Sequence, residues 1–151
     1  MAPDAPQPDL PPADVPLRVV RDDLLHEGPL VATSVGLRAA TRPFALVAAG
    51  DMPGLRPEVL RLLAGRTATG CEAAALVDGD RWRPLPSLLE VAPAIRSARR
   101  LVESGERRLR ALVGDLRLET VAEVEWRVAD PAGDWRRDVD LPSDLPEASG
   151  G

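Results

Sequence analysis

Asp51 ends the apolar run Phe44-Ala45-Leu46-Val47-Ala48-Ala49-Gly50 and opens the turn Met52-Pro53-Gly54. A short apolar run closed by turn residues predicts a strand buried on both faces, as in a parallel sheet. In open α/β sheets ligands bind beyond the carboxyl ends of the strands. A carboxylate there is well placed to hold a metal ion together with a phosphate-bearing substrate. The competing reading is structural, since aspartate also caps the turn before a helix. Two further acidic pairs stand out, Asp22-Asp23 and Asp138 with Asp140. The first reads as an ordinary loop pair. In the second, like charges repel unless a cation sits between them, so it is either a solvated acidic pair or a cation site.

The remaining reactive side chains carry less signal. His26 has no ligand spacing around it and reads as a surface residue. Cys71 is the only cysteine, which excludes an internal disulfide and suits a reducing compartment. It reads as a small buried hydrophobe. Trp82, Trp126 and Trp135 read as packing residues, with Trp135 expected to be partly exposed in its polar stretch. Arg107, Arg108 and Arg110 read as a solvated helix face.

Composition bounds the class. The 151 residues suggest one domain, and 44% hydrophobic content is enough for a core. All 19 basic residues are arginine and the net charge is −5, which argues against a nucleic-acid surface. No run is long enough to span a membrane. No signal peptide is evident, so a cytoplasmic location is expected.

The elements that must position these groups follow from pattern. Residues 1–16 hold six prolines and three aspartates and read as an extended segment. Leu17–Val20 predicts a short strand. Gly28-Pro29 opens a helix to about Ala40, since proline suits the first turn. The strand over 44–50 follows, then a helix from Arg56 with Val59, Leu60 and Leu63 as its apolar stripe. Ala73–Val77 predicts a strand and Asp78-Gly79-Asp80 a hairpin turn. Residues 81–91 return as a strand interrupted by Pro84 and Pro86. Helices are predicted over 93–104 and 107–113. Val124, Trp126 and Val128 alternate, which predicts a strand over 123–128. Strands alternating with helices imply an α/β layered fold with a mostly parallel sheet.

Five motifs occur in order: Gly28-Pro29-Leu30, Ala49-Gly50-Asp51-Met52-Pro53, Arg83-Pro84-Leu85, Glu103-Ser104-Gly105-Glu106-Arg107-Arg108, and Asp138-Val139-Asp140-Leu141-Pro142-Ser143-Asp144-Leu145. Together they resemble the molybdenum-cofactor guanylyltransferases and their nucleotidyltransferase relatives. The resemblance implies a three-layer Rossmann-like fold. It divides the chain into a Pro-rich segment 1–16, a partial NTP-transferase domain 17–145 and a tail 146–151. The implied reaction moves a nucleoside monophosphate from an NTP, with GTP the implied donor, to a phosphorylated acceptor such as molybdopterin. Asp51 matches the family's magnesium ligand and catalytic aspartate. Asp138 and Asp140 match the closing motif that approaches the same metal. Asp22 matches a nucleotide-contacting aspartate, and Gly28, Pro29 and Leu30 the loop beside it.

The family pattern begins with a strand, a Gly-rich phosphate loop and a lysine. Here the first glycine is Gly28 and lysine is absent. The expectation is a domain lacking its first strand and phosphate loop, with an unpaired sheet edge. The alternative function is therefore a non-catalytic or degenerate binding protein that kept the acceptor half of the fold, with a protein partner completing the sheet.

Overall fold

A computed structural model describes residues 18–20 and 28–137. The elements, in chain order, are α1 (Pro29–Ala39), β1 (Phe44–Val47), α2 (Pro57–Gly65), a 3-10 turn (Arg66–Thr69), β2 (Ala73–Asp78), β3 (Arg81–Glu90), α3 (Val91–Glu103), α4 (Leu109–Asp115), β4 (Leu118–Val121), α5 (Glu123–Ala129) and a second 3-10 turn (Asp134–Arg136). The four strands form one sheet in the order β1-β3-β2-β4. β3 runs antiparallel to both β1 and β2, while β2 and β4 are parallel. Three of the four strands thus share a direction and only β3 is reversed.

Alternation along β2 explains the layering. Ala73 and Ala75 face a core with Leu30 and Leu37 of α1, Ala94 and Ala98 of α3, and Leu112 and Val113 of α4. Ala74 and Leu76 face the opposite core with Val59 and Leu63 of α2, Trp126 of α5, and Trp135. Successive strand residues point to opposite faces, so an apolar run without polar alternation requires a helix layer on each side. The result is the expected three-layer α/β arrangement.

Three sequence expectations change. The prolines at 84 and 86 interrupt the pairing of β3 with β2, as expected, but not the strand itself, which runs on from Arg81 to Glu90. β3 pairs Ser87 with Ala75 and Trp82 with Val77, so residues 83–86 bulge out opposite Leu76 alone. A proline lacks the N–H a ladder needs and is tolerated at such a bulge. The segment 123–128 is a helix, not a strand. Val124 and Val128 are 76% and 84% exposed while Trp126 is fully buried. A four-residue spacing puts both valines on one helix face and Trp126 on the other, so the alternation fits either period. The strand in this region is β4, just upstream. Residues 18–20 carry no regular structure, and Leu17 lies outside the described residues.

The strand expected over 44–50 to be buried on both faces is instead the short β1, which pairs with β3 on one side only and has no buried residue, with Leu46 44% exposed, because an edge strand lacks cover on its free side. A cavity of ≈ 390 Å³ runs beside β1, lined by Gly36 and Leu37 of α1 and by Ala45–Ala48. Among the described residues no strand pairs with the other side of β1.

Candidate functional site

The stretch after β1 carries Asp51 into a turn, and α2 does not start until Pro57. Asp51 is therefore not the cap of α2, whose N-cap is Arg56. Its carboxylate is exposed and makes no hydrogen bond or ion pair with the described residues. It lines a cleft of ≈ 300 Å³ together with Ala49, Met52, Arg83, Pro84, Leu85, Trp135 and Arg136.

Each wall of that cleft has a local cause. The proline bulge of β3 brings Arg83-Pro84-Leu85 to the cleft instead of leaving them in the ladder. The second 3-10 turn contributes Trp135 and Arg136 to the lining and is held by Asp130, which is completely buried. Asp130 accepts the N–H of Gly133 at 3.1 Å and of Trp135 at 3.0 Å. Arg56 donates to Asp134 at 3.1 Å and lies 3.6 Å from Asp130, which ties the turn to the end of the Asp51 loop.

Gly54 closes the same joint. A Cβ there would sit 2.2 Å from the Asp134 carbonyl oxygen and 2.7 Å from its carbon. The obstacle is backbone and cannot rotate away. Gly54→Ala is expected to cost about 1–3 kcal/mol, the usual range for overpacking. Differential scanning calorimetry should show a lower thermal midpoint; an unchanged midpoint would mean the two loops are not held together.

Asp78, at the end of β2, organises the charges. Its Oδ2 accepts Arg83 Nε at 3.0 Å and Nη2 at 2.7 Å, and its Oδ1 accepts Arg136 Nη1 at 3.0 Å. The Arg83 hydrogen bond, reinforced by Arg136, holds the Asp78 carboxyl below its usual range against the opposing effect of burial. Trp135 is 2% exposed rather than partly exposed as its polar surroundings predict. Its indole N–H is buried with no acceptor among the described residues.

A divalent cation fits this cleft in one way. Among the described residues no three acidic, histidine or cysteine side chains form a ligand cluster. An all-protein cage is thus not available there, but one free carboxylate beside space for phosphate suits magnesium, which keeps waters and substrate oxygens.

The other predicted site residues lie elsewhere. Gly28, Pro29 and Leu30 do not line the Asp51 cleft. Leu30 is completely buried in the core and its N–H donates to the Arg107 carbonyl. Its side chain is a core residue, not a ligand contact. Gly28 has φ 89° and presses against Arg107, where a Cβ would come within 3.2 Å. The structure thus joins the Gly28-Pro29-Leu30 and Gly105–Arg108 motifs into one packed corner. Asp22, Asp138, Asp140 and His26 lie outside the described residues. Cys71 is buried, as expected. The arginines are not a plain solvated face. Arg110 stacks 4.0 Å over Trp82 and donates to its carbonyl at 2.8 Å. Arg107 donates to the carbonyls of Val102 and Glu106.

Glu106 clamps that corner. Its Oε1 accepts the backbone N–H groups of Arg107 at 2.8 Å and Arg108 at 2.9 Å, and its Oε2 accepts the Arg108 guanidinium at 2.7 Å. The Arg108 side chain first, and the two backbone N–H groups next, lower its pKa from 4.5 to about 2. A carboxyl depressed on folding adds stability above its unfolded pKa and loses it as the pH falls through the folded value. Glu106 therefore contributes above about pH 4.5, and the contribution fades towards pH 2. Glu106→Gln should flatten the acid limb of stability in that window; urea midpoints at pH 6, 4 and 3 that shift in parallel for both proteins would refute this.

Sequence reasoning missed Asp78, Arg136 and the role of Arg83 beyond its motif. The available signal was the pair of prolines, which mark a bulge. Arg136 gave none, because its place depends on its pairing with Asp78, 58 residues away.

Comparisons with known proteins bear on this arrangement. A family model described as MobA-like NTP transferase domain matches residues 3–121. The chain is 41% identical over 104 residues to the "Probable molybdenum cofactor guanylyltransferase" of Mycobacterium avium (strain 104), covering 66% of this chain and 52% of the relative. It is 34% identical over 136 residues to the protein of the same name from Chloroflexus aggregans, covering 87% and 64%. Its fold is similar to the crystal structure of molybdopterin-guanine dinucleotide biosynthesis protein A from Archaeoglobus fulgidus, with TM-score 0.68, 25% identity, and coverage of 83% of this chain and 63% of that one. The chain thus spans between about half and two thirds of the length of these relatives.

Proposed function

Because the chain belongs to the MobA-like NTP transferase family, we propose that it serves guanylyl transfer from GTP to a phosphorylated acceptor such as molybdopterin, with magnesium. An oxygen of the acceptor phosphate attacks the α-phosphorus, the bond from that phosphorus to the β-bridging oxygen breaks, and pyrophosphate leaves. The observation that carries this reading is Asp51, an exposed carboxylate without a partner among the described residues, lining a cleft of ≈ 300 Å³ just after β1.

Asp51 would hold the magnesium ion, and the matching residues Asp138 and Asp140 would complete its protein ligands. The ion supplies charge neutralisation of the phosphates. The protein's own part is positioning, because transfers of this kind depend mainly on alignment and preorganised charge. Asp22, Gly28 and Pro29 are proposed for the nucleotide side; Leu30 supports that loop from the core. Among the described residues no helix is long and apolar enough to cross a membrane, and we place the reaction in the cytoplasm.

The test is magnesium-dependent pyrophosphate release from GTP by the full chain with molybdopterin, with CTP and ATP in parallel. Release with GTP supports the reading, and release with none of the three overturns it. A second reading rests on the open β1 edge with its exposed Leu46: a binding protein whose partner adds a strand there. It predicts a folded chain without transfer.

A further inference from the structure

We propose that Arg83 and Arg136, both anchored on Asp78, form a phosphoryl-binding bracket in the Asp51 cleft. The proposal deepens the guanylyl-transfer reading by naming which side chains would receive a phosphate there. Both arginines line the cleft that Asp51 lines. They come from separate parts of the chain, the β3 bulge and the second 3-10 turn, and meet on the two oxygens of one carboxylate.

Asp78 leaves the bracket usable. It takes Nε and Nη2 of Arg83 and Nη1 of Arg136, while Arg136 Nε donates to the Gly133 carbonyl at 3.3 Å. Arg83 Nη1 has no acceptor among the described residues, and its side chain is 56% exposed. Two guanidinium groups share the two oxygens of Asp78, and Arg136 has only a further coulombic attraction to Glu123. The buried Trp135 N–H, also without an acceptor among the described residues, adds to the excess of donors in that wall. Guanidinium forks match phosphate oxygens geometrically, and holding them in place beforehand reduces the ordering cost of binding. Because Asp51 and both arginines line one cleft, a cation on Asp51 and the arginines would hold the same phosphate.

The phosphoryl group has two possible sources, the diphosphate portion of the donor or the phosphate monoester of the acceptor. Both present the same oxygens, and two probes separate them. Isothermal titration of the full chain with inorganic pyrophosphate and with glycerol phosphate, with and without magnesium, reads binding without turnover. Pyrophosphate binding places the donor side in the bracket; glycerol phosphate binding alone places the acceptor there. Arg83→Gln and Arg136→Gln should each weaken the bound probe at least about tenfold, as expected for loss of one charge-assisted pair. Arg83→Lys and Arg136→Lys should lie between, since they keep the charge but lose the fork. Arg136 also lies 5.4 Å from the Trp126 ring, so circular dichroism must first show each variant folded; Arg83→Gln, on an exposed side chain, remains decisive if Arg136→Gln does not fold. Affinity unchanged in Arg83→Gln, or no binding of either probe by the unmutated chain, overturns the bracket. Probe binding without guanylyl transfer would overturn the enzymatic reading and leave the bracket standing.

Discussion

Trp126→Ala is expected to remove about 3–5 kcal/mol of stability, the range for truncating a buried tryptophan. Trp126 is completely buried between β2 and the second 3-10 turn. Its ring meets Trp135 edge-on at 5.5 Å and 85°, and its N–H donates to the Val77 carbonyl at 2.6 Å. Arg127 stacks over the other side at 4.9 Å. Truncation would open a cavity, remove the donor to the Val77 carbonyl and remove the support of Trp135. Domains of this size are typically stable by only about 5–15 kcal/mol, so the loss is a large share of the total. Urea unfolding checks it, and a loss under about 1 kcal/mol would mean that the second core collapses to fill the space. Trp126→Phe separates the terms: it keeps most of the ring but removes the part-buried hydrogen bond to the Val77 carbonyl, at about 0.5–1.5 kcal/mol.

Asp51→Asn should act on function and leave the fold alone. On the guanylyl-transfer reading it should lower pyrophosphate release about 10²–10³-fold, the scale for losing one preorganised electrostatic contact to the reacting group. The same change should move stability by no more than about 0.5 kcal/mol, as for an exposed residue without structural partners. Asn keeps the size and turn propensity but not the charge. Comparable losses of activity and thermal midpoint would show instead that Asp51 holds its turn together. Retained magnesium-dependent release would remove it from the metal site altogether.

The two predictions draw on opposite kinds of residue, and that contrast explains what could be read from sequence. The run from Phe44 to Gly50 announces a strand because no polar residue breaks it, but not that β1 stops at Val47 as a half-exposed edge strand; Asp51 stands out as the charge that ends the run. The hairpin at Asp78-Gly79-Asp80 and the proline start of α1 are equally local. Where local patterns have two solutions, sequence fails. Val124-x-Trp126-x-Val128 satisfies a strand and a helix alike, and only the position of the Trp126 pocket on the second core selects the helix. Leu30 belongs to a motif that suggested ligand contact, but packing against α3 and α4 assigns it to the core.

The sequence by itself determined the α/β class, the placement of Asp51 at a strand end and the membership of the chain in a nucleotidyltransferase family, because these rest on residue types at short spacing. Tertiary structure alone decided the walls of the cleft. Arg83 reaches it because four residues bulge opposite one, and Arg136 reaches it because a buried Asp130 fixes the turn that carries it. Asp78 binds both from 5 and 58 residues away. The Arg136 pairing depends on chain closure over a long separation, where the energy lies in burial and hydrogen bonding between elements and not in any local preference.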